Sequence, residues 1–328
     1  MAEIALERYG LERIRPRFVN FSGNGLYQII VPPNHSIPSE KYALRLHQPN
    51  YMKPEYITSE MEWLSALNDQ GISVPRPIRN NAGDWLSSID GGYEVPTKRN
   101  CTLISGTHGR LLRKTICPKH FYSLGRIMGQ IHKQAKSWRL PKGFARPHWD
   151  WEGLYGDGFD YGVPAREARD AIPKIHQNAF NEILERVREA EQVLGKGRES
   201  YGLIHADLAF GDNVAIQSGE AVPFDFDDCG FGYWIYDLGV ALAHFILDTD
   251  NVSLKIRDAL IEGYGEGNTI EKENLEYLDL FTAARFAQLM FFFQGAAIHY
   301  PQSKGEATAE INDNAKYLKL MLKKINKK

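Results

Sequence analysis

The run Leu203-Ile204-His205-Ala206-Asp207-Leu208-Ala209-Phe210-Gly211-Asp212-Asn213-Val214-Ala215-Ile216 decides how this chain is read. An apolar strand ends at His205, a polar loop follows, and a second short strand begins at Val214. Gln217-Ser218-Gly219-Glu220 reads as a turn. Val222-Pro223-Phe224-Asp225-Phe226-Asp227-Asp228 then reads as a third strand running into an acidic cluster. A hairpin of this shape brings the loop that begins at His205 close to the cluster that begins at Asp225.

Few protein groups are needed to transfer a phosphoryl group. One carboxylate orients the attacking hydroxyl and takes its proton, and oxygen ligands fix Mg²⁺ on the phosphates. Cations on the transferring charge complete the set. Asp207 can serve as the carboxylate. Asp225, with Asn213 or Asp212, can serve as the oxygen ligands.

The pattern His205-x-Asp207, a following Asn, and an apolar-Asp225-Phe226-Asp227 run resembles the signature of the aminoglycoside phosphotransferase and choline kinase superfamily. The tail Cys229-Gly230-Phe231-Gly232-Tyr233-Trp234-Ile235-Tyr236-Asp237-Leu238 extends the likeness. The resemblance implies an ATP- and Mg²⁺-dependent kinase acting on a hydroxyl. It implies an α+β, two-lobed protein-kinase-like fold, with a small antiparallel-sheet N-lobe and a mainly helical C-lobe. Asp207 would be the catalytic base, Asp225 the main Mg²⁺ ligand and Asn213 the second, with His205 and Asp237 bracing the loop. The family's Asn lies five residues after its Asp, whereas Asn213 lies six after Asp207. Either the loop holds one extra residue or Asp212 takes the ligand role.

Working toward the N-terminus, Tyr42-Ala43-Leu44-Arg45-Leu46 has the period of a strand, with Ala43 and Arg45 sharing one face. Pro54 opens a helix running to about Asp69 and stopping at Gly71. Its apolar stripe is Ile57, Met61, Leu64 and Leu67, and Glu60 lies in line with it. An inward carboxylate is costly unless a cation meets it. By resemblance, Ala43 makes room for adenine, Arg45 stands where most kinases have a phosphate-binding Lys, and Glu60 holds Arg45. Arg45 as an exposed strand residue and Glu60 as a surface helix residue are the plain alternatives. Leu26–Val31 is a further β-prone run, and Val31 to Ser39 is a loop. Ser22-Gly23-Asn24-Gly25 would cover the phosphates. Thr102-Leu103-Ile104-Ser105-Gly106 reads as a strand ending in a connector, and by resemblance Thr102 to Ser105, including Leu103, would meet adenine through its backbone. Gly83, Gly91 and Gly92 mark turns.

Beyond the connector the chain becomes helical. Phe121, Leu124, Met128 and Ile131 recur at helical spacing. Ala179–Leu194, Val252–Tyr264, Leu275–Ala297 and Ile311–Ile325 read as further helices. The lobes are expected at 1–105, binding nucleotide, and 106–328, carrying catalysis and the acceptor. The stretch from Pro147 to Gly158 contains Trp149, Asp150, Trp151, Glu152, Tyr155 and Asp157. It either lines a pocket for a cationic or hydroxylated acceptor or packs as an ordinary loop. Arg285, in the long apolar helix, either faces the site or is a buried structural partner.

Bulk properties are those of a globular protein. The 328 residues are 43% hydrophobic and 24% charged, with a net charge of −2, which provides no general attraction to nucleic acid or an anionic membrane. Cys101, Cys117 and Cys229 lack metal or disulfide spacing. The first ten residues lack an apolar signal core, so a cytoplasmic location is the expectation. The acceptor is expected to be a small molecule of the aminoglycoside, amino alcohol or homoserine type, with a protein Ser/Thr hydroxyl as the alternative. The Asp225-Phe226-Asp227-Asp228 form looks most like the group around homoserine kinase and stress-response kinase A. A nucleotide-binding regulator and a nucleotidyl transferase on the same fold are the rival classes.

Overall fold

The computed structural model describes residues 1–22, 24–35, 37–38, 40–49, 52–91, 98–112, 115–157, 164–243, 245 and 251–327. Gly23, Ser39, Gly92 and Gly158, used above in turns and loops, lie outside them. The chain divides into two compact units, neither of them one continuous stretch. The first comprises Met1–Arg110, Arg139–Arg146 and Val222–Asp227; the second comprises Leu111–Trp138, Pro147–Ala221 and Asp228–Lys328.

The first unit contains α1 (Ala2–Glu7), β1 (Arg17–Ser22), β2 (Asn24–Ile30), β3 (Lys41–Leu46), α2 (Pro54–Asp69), β4 (Pro77–Ile78), β5 (Ser87–Ile89) and β6 (Arg99–Ser105). Among the described residues its strands form one six-stranded sheet in the order β1-β2-β3-β6-β4, with β5 also on β6. Every strand pair in it is antiparallel. The period of two in β3 works as expected: Tyr42, Leu44 and Leu46 are buried in one apolar cluster with Ala5, Leu6 and Tyr9. Helix α1, absent from the sequence reading, covers that face. Its signal was available, because Ala2, Ala5, Leu6 and Tyr9 follow the i, i+3, i+4, i+7 spacing of a helical stripe.

Helix α2 begins and ends where the proline and glycine place it, with Pro54 in its first turn and Gly71 at φ 73° just beyond. Ile57, Met61, Leu64 and Leu67 are buried, and so is Glu60. The strand expected to end in the connector is present. Thr102 to Ser105 is sheet, paired with Arg45 through Tyr42 on one side. The Ser105 amide also donates to the Arg76 carbonyl at 2.8 Å. Leu103 and Ser105 therefore have their backbone drawn into the sheet, and the chain leaves it only at Gly106.

The chain continues through β7 (Arg110–Leu111), α3 (Pro118–Ser137), β8 (His148–Trp149), α4 (Trp151–Tyr155), α5 (Ala165–Asp170), α6 (Lys174–Leu194), β9 (Tyr201–Ile204), β10 (Val214–Gln217) and β11 (Glu220–Pro223). It ends with β12 (Gly230–Tyr233), α7 (Trp234–Leu242), α8 (Asn251–Gly267), α9 (Lys272–Leu275), α10 (Leu278–His299) and α11 (Lys304–Ile325). Helix α6 starts five residues before the expected Ala179, since Pro173 caps it and Lys174 to Gln177 need no apolar stripe. The β10–β11 turn has positive φ at Ser218 and Gly219, 52° and 89°, the pattern that suits the twist of a two-residue hairpin. One of the chain crossings between the units falls inside β11.

In the second unit β12 pairs antiparallel with β9 and parallel with β8. Helices α3 and α8 meet backbone to backbone. Gly125 and Gly129 on α3, and Gly263 and Gly267 on α8, leave no space for a β-carbon against the facing helix. Among the described residues no helix is long and apolar enough to cross a membrane.

Candidate active site

In the first unit the site is built around Arg45. This guanidinium is 4% exposed. Its Nη1 donates to Glu60 Oε1 at 2.7 Å and to the Asp227 carboxylate, and its Nη2 lies 3.7 Å from Asp225 Oδ1. Both plain alternatives therefore fail: Arg45 is not an exposed strand residue, and Glu60 is not on a helix surface. Asp227 also accepts from the Asn24 side-chain amide. Asn24 opens β2 opposite Ser22, and its Oδ1 accepts from the Gln48 amide at 3.2 Å. Ala43, half-buried, lies between Gln28 and Ile104 in the sheet.

Burial pushes the Glu60 carboxyl up, against the pull of Arg45, and the neighbouring Asp227 charge adds to the rise. Burial also works to raise Asp227, but Arg45, then His47 and Arg146, outweigh it and hold this carboxyl below its ordinary value.

Asp225 differs from its neighbours. Its side chain is 56% exposed, against 22% for Asp227. Its φ is +64°, left-handed for a residue with a β-carbon, which costs about 1–2 kcal/mol. Strain of this kind persists only where the surroundings over-determine the backbone. Here Phe226 is fully buried edge-on to Trp63, with ring centroids 5.7 Å apart.

The second unit holds the other set. Asp207 follows Ala206, whose φ is +69°. The Ala206 and His205 amides donate to Asp237 at 2.7 and 3.2 Å. Asp237 in turn accepts from His132 Nε2 at 2.9 Å, and His132 Nδ1 lies 2.9 Å from the Tyr264 hydroxyl. Burial would raise the Asp237 carboxyl, but His132, His205 and the loop amide hold it below its ordinary value. His205 is fully buried, with its Nδ1 accepting from the Asp207 amide at 3.4 Å. It shapes the loop from within.

Asn213, 3% exposed, spans the loop. Its Nδ2 donates to the Asp207 carbonyl and to Asp207 Oδ2 at 2.9 Å, while its Oδ1 accepts from the Ala209 amide at 2.7 Å. Asp212 is exposed beside it. The remaining partner of Asp207 is Arg285 on α10, whose Nη2 binds Asp207 Oδ1 and whose Nη1 binds Gln288 Oε1 at 2.9 Å. Burial disfavours the Arg285 charge, but Asp207, Tyr236 and Asp228 outweigh it and keep it firmly protonated. The Tyr236 hydroxyl lies beside this guanidinium, buried, in no well-aligned hydrogen bond to the described residues.

Three residues of the Trp-Asp stretch are held by their neighbours. The Trp149 indole donates to the Asp228 carbonyl at 2.6 Å, and the Trp151 indole donates to the Leu184 carbonyl at 2.9 Å beneath Arg188. Asp150 caps α4 and pairs with Lys196 at 2.5 Å. Sequence reasoning missed His132 and Arg146. His132 had a signal, one helical turn after Met128 on the apolar stripe of α3; Arg146 sits in a loop without periodicity.

A sequence model of the phosphotransferase enzyme family (APH) matches residues 35–278. The chain belongs to this family. It is 26% identical over 244 residues to amicoumacin kinase of Bacillus subtilis, a match covering 73% of this chain and 65% of that protein. It is 28% identical over 220 residues to homoserine kinase of Parvibaculum lavamentivorans, covering 66% and 62%. The matches thus span less than two thirds of the length of these curated relatives. Among solved structures, a microcompartment-associated aminopropanol kinase superposes with a TM-score of 0.80 at 25% identity, covering 99% of this chain and 97% of that one.

Proposed function

We propose that the protein transfers the γ-phosphoryl group of ATP to a hydroxyl of a small amine-bearing molecule. The observation that carries this reading is the state of Asp207. Its carboxylate is aimed by donors on both oxygens, Asn213 and Arg285, at the end of a strained loop tied to Asp237. Asp207 receives the hydroxyl proton, and Arg285 and Asn213 hold its orientation. Family membership and the amino alcohol, homoserine and antibiotic kinases among the relatives support the acceptor class.

The first unit's residues fit a metal–nucleotide. Asp225 extends a well-exposed carboxylate from a fixed backbone, while Asp227 is occupied with Arg45 and Asn24. That suits Mg²⁺, which takes one or two protein carboxylates and fills its shell with water and phosphate. Bound there, Mg²⁺ would neutralise phosphate charge and fix its geometry. Asp225 would be its principal ligand, with Asn213 or Asp212 as the candidate for the second. Arg45 offers its guanidinium to phosphate, and Glu60 keeps that side chain extended. Ala43, with Leu103 and Ser105 on the neighbouring strand, borders the adenine position, and Ser22 and Asn24 flank the turn toward the phosphates.

The test is ATP turnover with Mg²⁺ against a panel of amino alcohols, hydroxy amino acids, aminoglycosides and a protein mixture, with Asp207→Asn alongside. The expected result is ADP and one phosphorylated small molecule, lost in the variant while ATP binding is retained. Pyrophosphate as product would indicate nucleotidyl transfer. Wild-type turnover in Asp207→Asn would remove Asp207 from the mechanism.

A further inference from the structure

Arg146 is unused by the chemistry described so far, yet it is among the most buried charges of the first unit, 3% exposed. It comes from Arg139–Arg146, the short segment that returns from α3 into this unit. Its Nη1 donates to the Tyr56 carbonyl in the first turn of α2 at 2.9 Å. Its Nη2 donates to the Asp227 carbonyl and lies 3.5 Å from that of Phe226. The residue before it is tied to the same helix, with the Ala145 amide donating to Ser59 Oγ at 3.0 Å. The guanidinium also lies 5.9 Å from the Tyr56 ring centroid.

The carbonyls it holds are those immediately after Asp225, and the helix to which it holds them is the one that carries Glu60. A planar fork with several donors can bind backbone carbonyls of two elements at once, which a single ammonium does less well. Hydrogen bonds from a charged donor are also the stronger kind. The left-handed backbone at Asp225 needs such outside support, since the residue would relax toward ordinary φ if its neighbours were free to move.

We propose that Arg146 is a positioning residue for the metal ligand. By pinning the Phe226 and Asp227 carbonyls to α2, it fixes the strained Asp225 backbone and aims the exposed carboxylate at the metal. This rests on the reading of Asp225 as that ligand.

The experiment measures binding of a ribose-labelled fluorescent ATP to the full chain, with and without Mg²⁺, together with the melting temperature. The proteins are wild type, Arg146→Met, Arg146→Lys and Asp225→Asn. The expected result for Arg146→Met is that the Mg²⁺-dependent tightening falls about tenfold or more, the scale of a lost charged hydrogen bond. Metal-free affinity stays within about twofold, and Arg146→Lys recovers part of the tightening because the charge is kept. Wild-type tightening in Arg146→Met would overturn the inference. So would equal loss of metal-free and metal-bound affinity with a lowered melting temperature, which marks a general structural role. Wild-type tightening in Asp225→Asn would instead overturn the metal assignment itself, and the inference with it.

Discussion

Replacing Arg285 with Gln tests the proposed catalytic role of Asp207 without touching that carboxylate. The guanidinium binds Asp207 Oδ1, and the two side chains are 14% and 31% exposed. Unit charges about 4 Å apart attract by about 4 kcal/mol at an effective dielectric of 20. Partial exposure screens that, leaving about 2 kcal/mol. If half to all of that energy is needed to hold Asp207 in its reactive orientation, turnover falls about 5- to 30-fold. The nucleotide KM should stay within about twofold, because the lost interaction concerns the hydroxyl side of the reaction. Steady-state ADP release at saturating acceptor, beside thermal unfolding, gives both numbers. Arg285→Lys should fall between wild type and Arg285→Gln. Wild-type turnover in Arg285→Gln would refute the reasoning, since it would show that Asp207 needs no cation to stay in place.

Two further expectations concern stability. Gly125→Ala places a β-carbon against the Leu260 carbonyl, and the α3–α8 pair must separate; a loss of about 1–3 kcal/mol in denaturant unfolding is expected, and unchanged stability would mean that the two helices pack less closely than described. Glu191 is pushed up to about 8 from 4.5, by burial first and then by the Asp150 charge. Its folded value is the higher one, so its contribution is fully present below about pH 4.5 and is lost as pH rises through about 8. Glu191→Gln should therefore match wild type near pH 4.5 and exceed it by on the order of 1–3 kcal/mol near pH 8.5, measured as melting temperature against pH. Parallel profiles for the two proteins would exclude a raised Glu191.

Much of this molecule is legible in one dimension because its decisive features are periodic or adjacent. Alternation in Tyr42 to Leu46 assigns Arg45 to the face opposite the apolar cluster. The 3.6-residue stripe of α2, with Glu60 in register, demands a cation. His205, Asp207, Asn213 and Asp225 fall within one short stretch of sequence, and the chemistry of oxygen ligands and bases can be read from their types. What sequence left open was any choice that depends on a partner far along the chain. Whether Arg285 faced the site was undecidable from an apolar helix, because its partner Asp207 lies 78 residues away. The Trp-Asp stretch carried residues equally suited to a pocket or to packing, and only the fold shows that the Trp149 and Trp151 indoles donate to the Asp228 and Leu184 carbonyls.

The chain by itself determined most element types, the inward register of Glu60 and the loop that presents Asp207, because local sterics and burial periodicity act over a few residues. Tertiary structure alone decided which of Asp225 and Asp227 stays exposed, what braces Asp207, and why a loop arginine at 146 is buried. Those outcomes are set by hydrogen bonds and charge pairs between segments that no sequence spacing relates, formed only once the segments are packed and water is excluded.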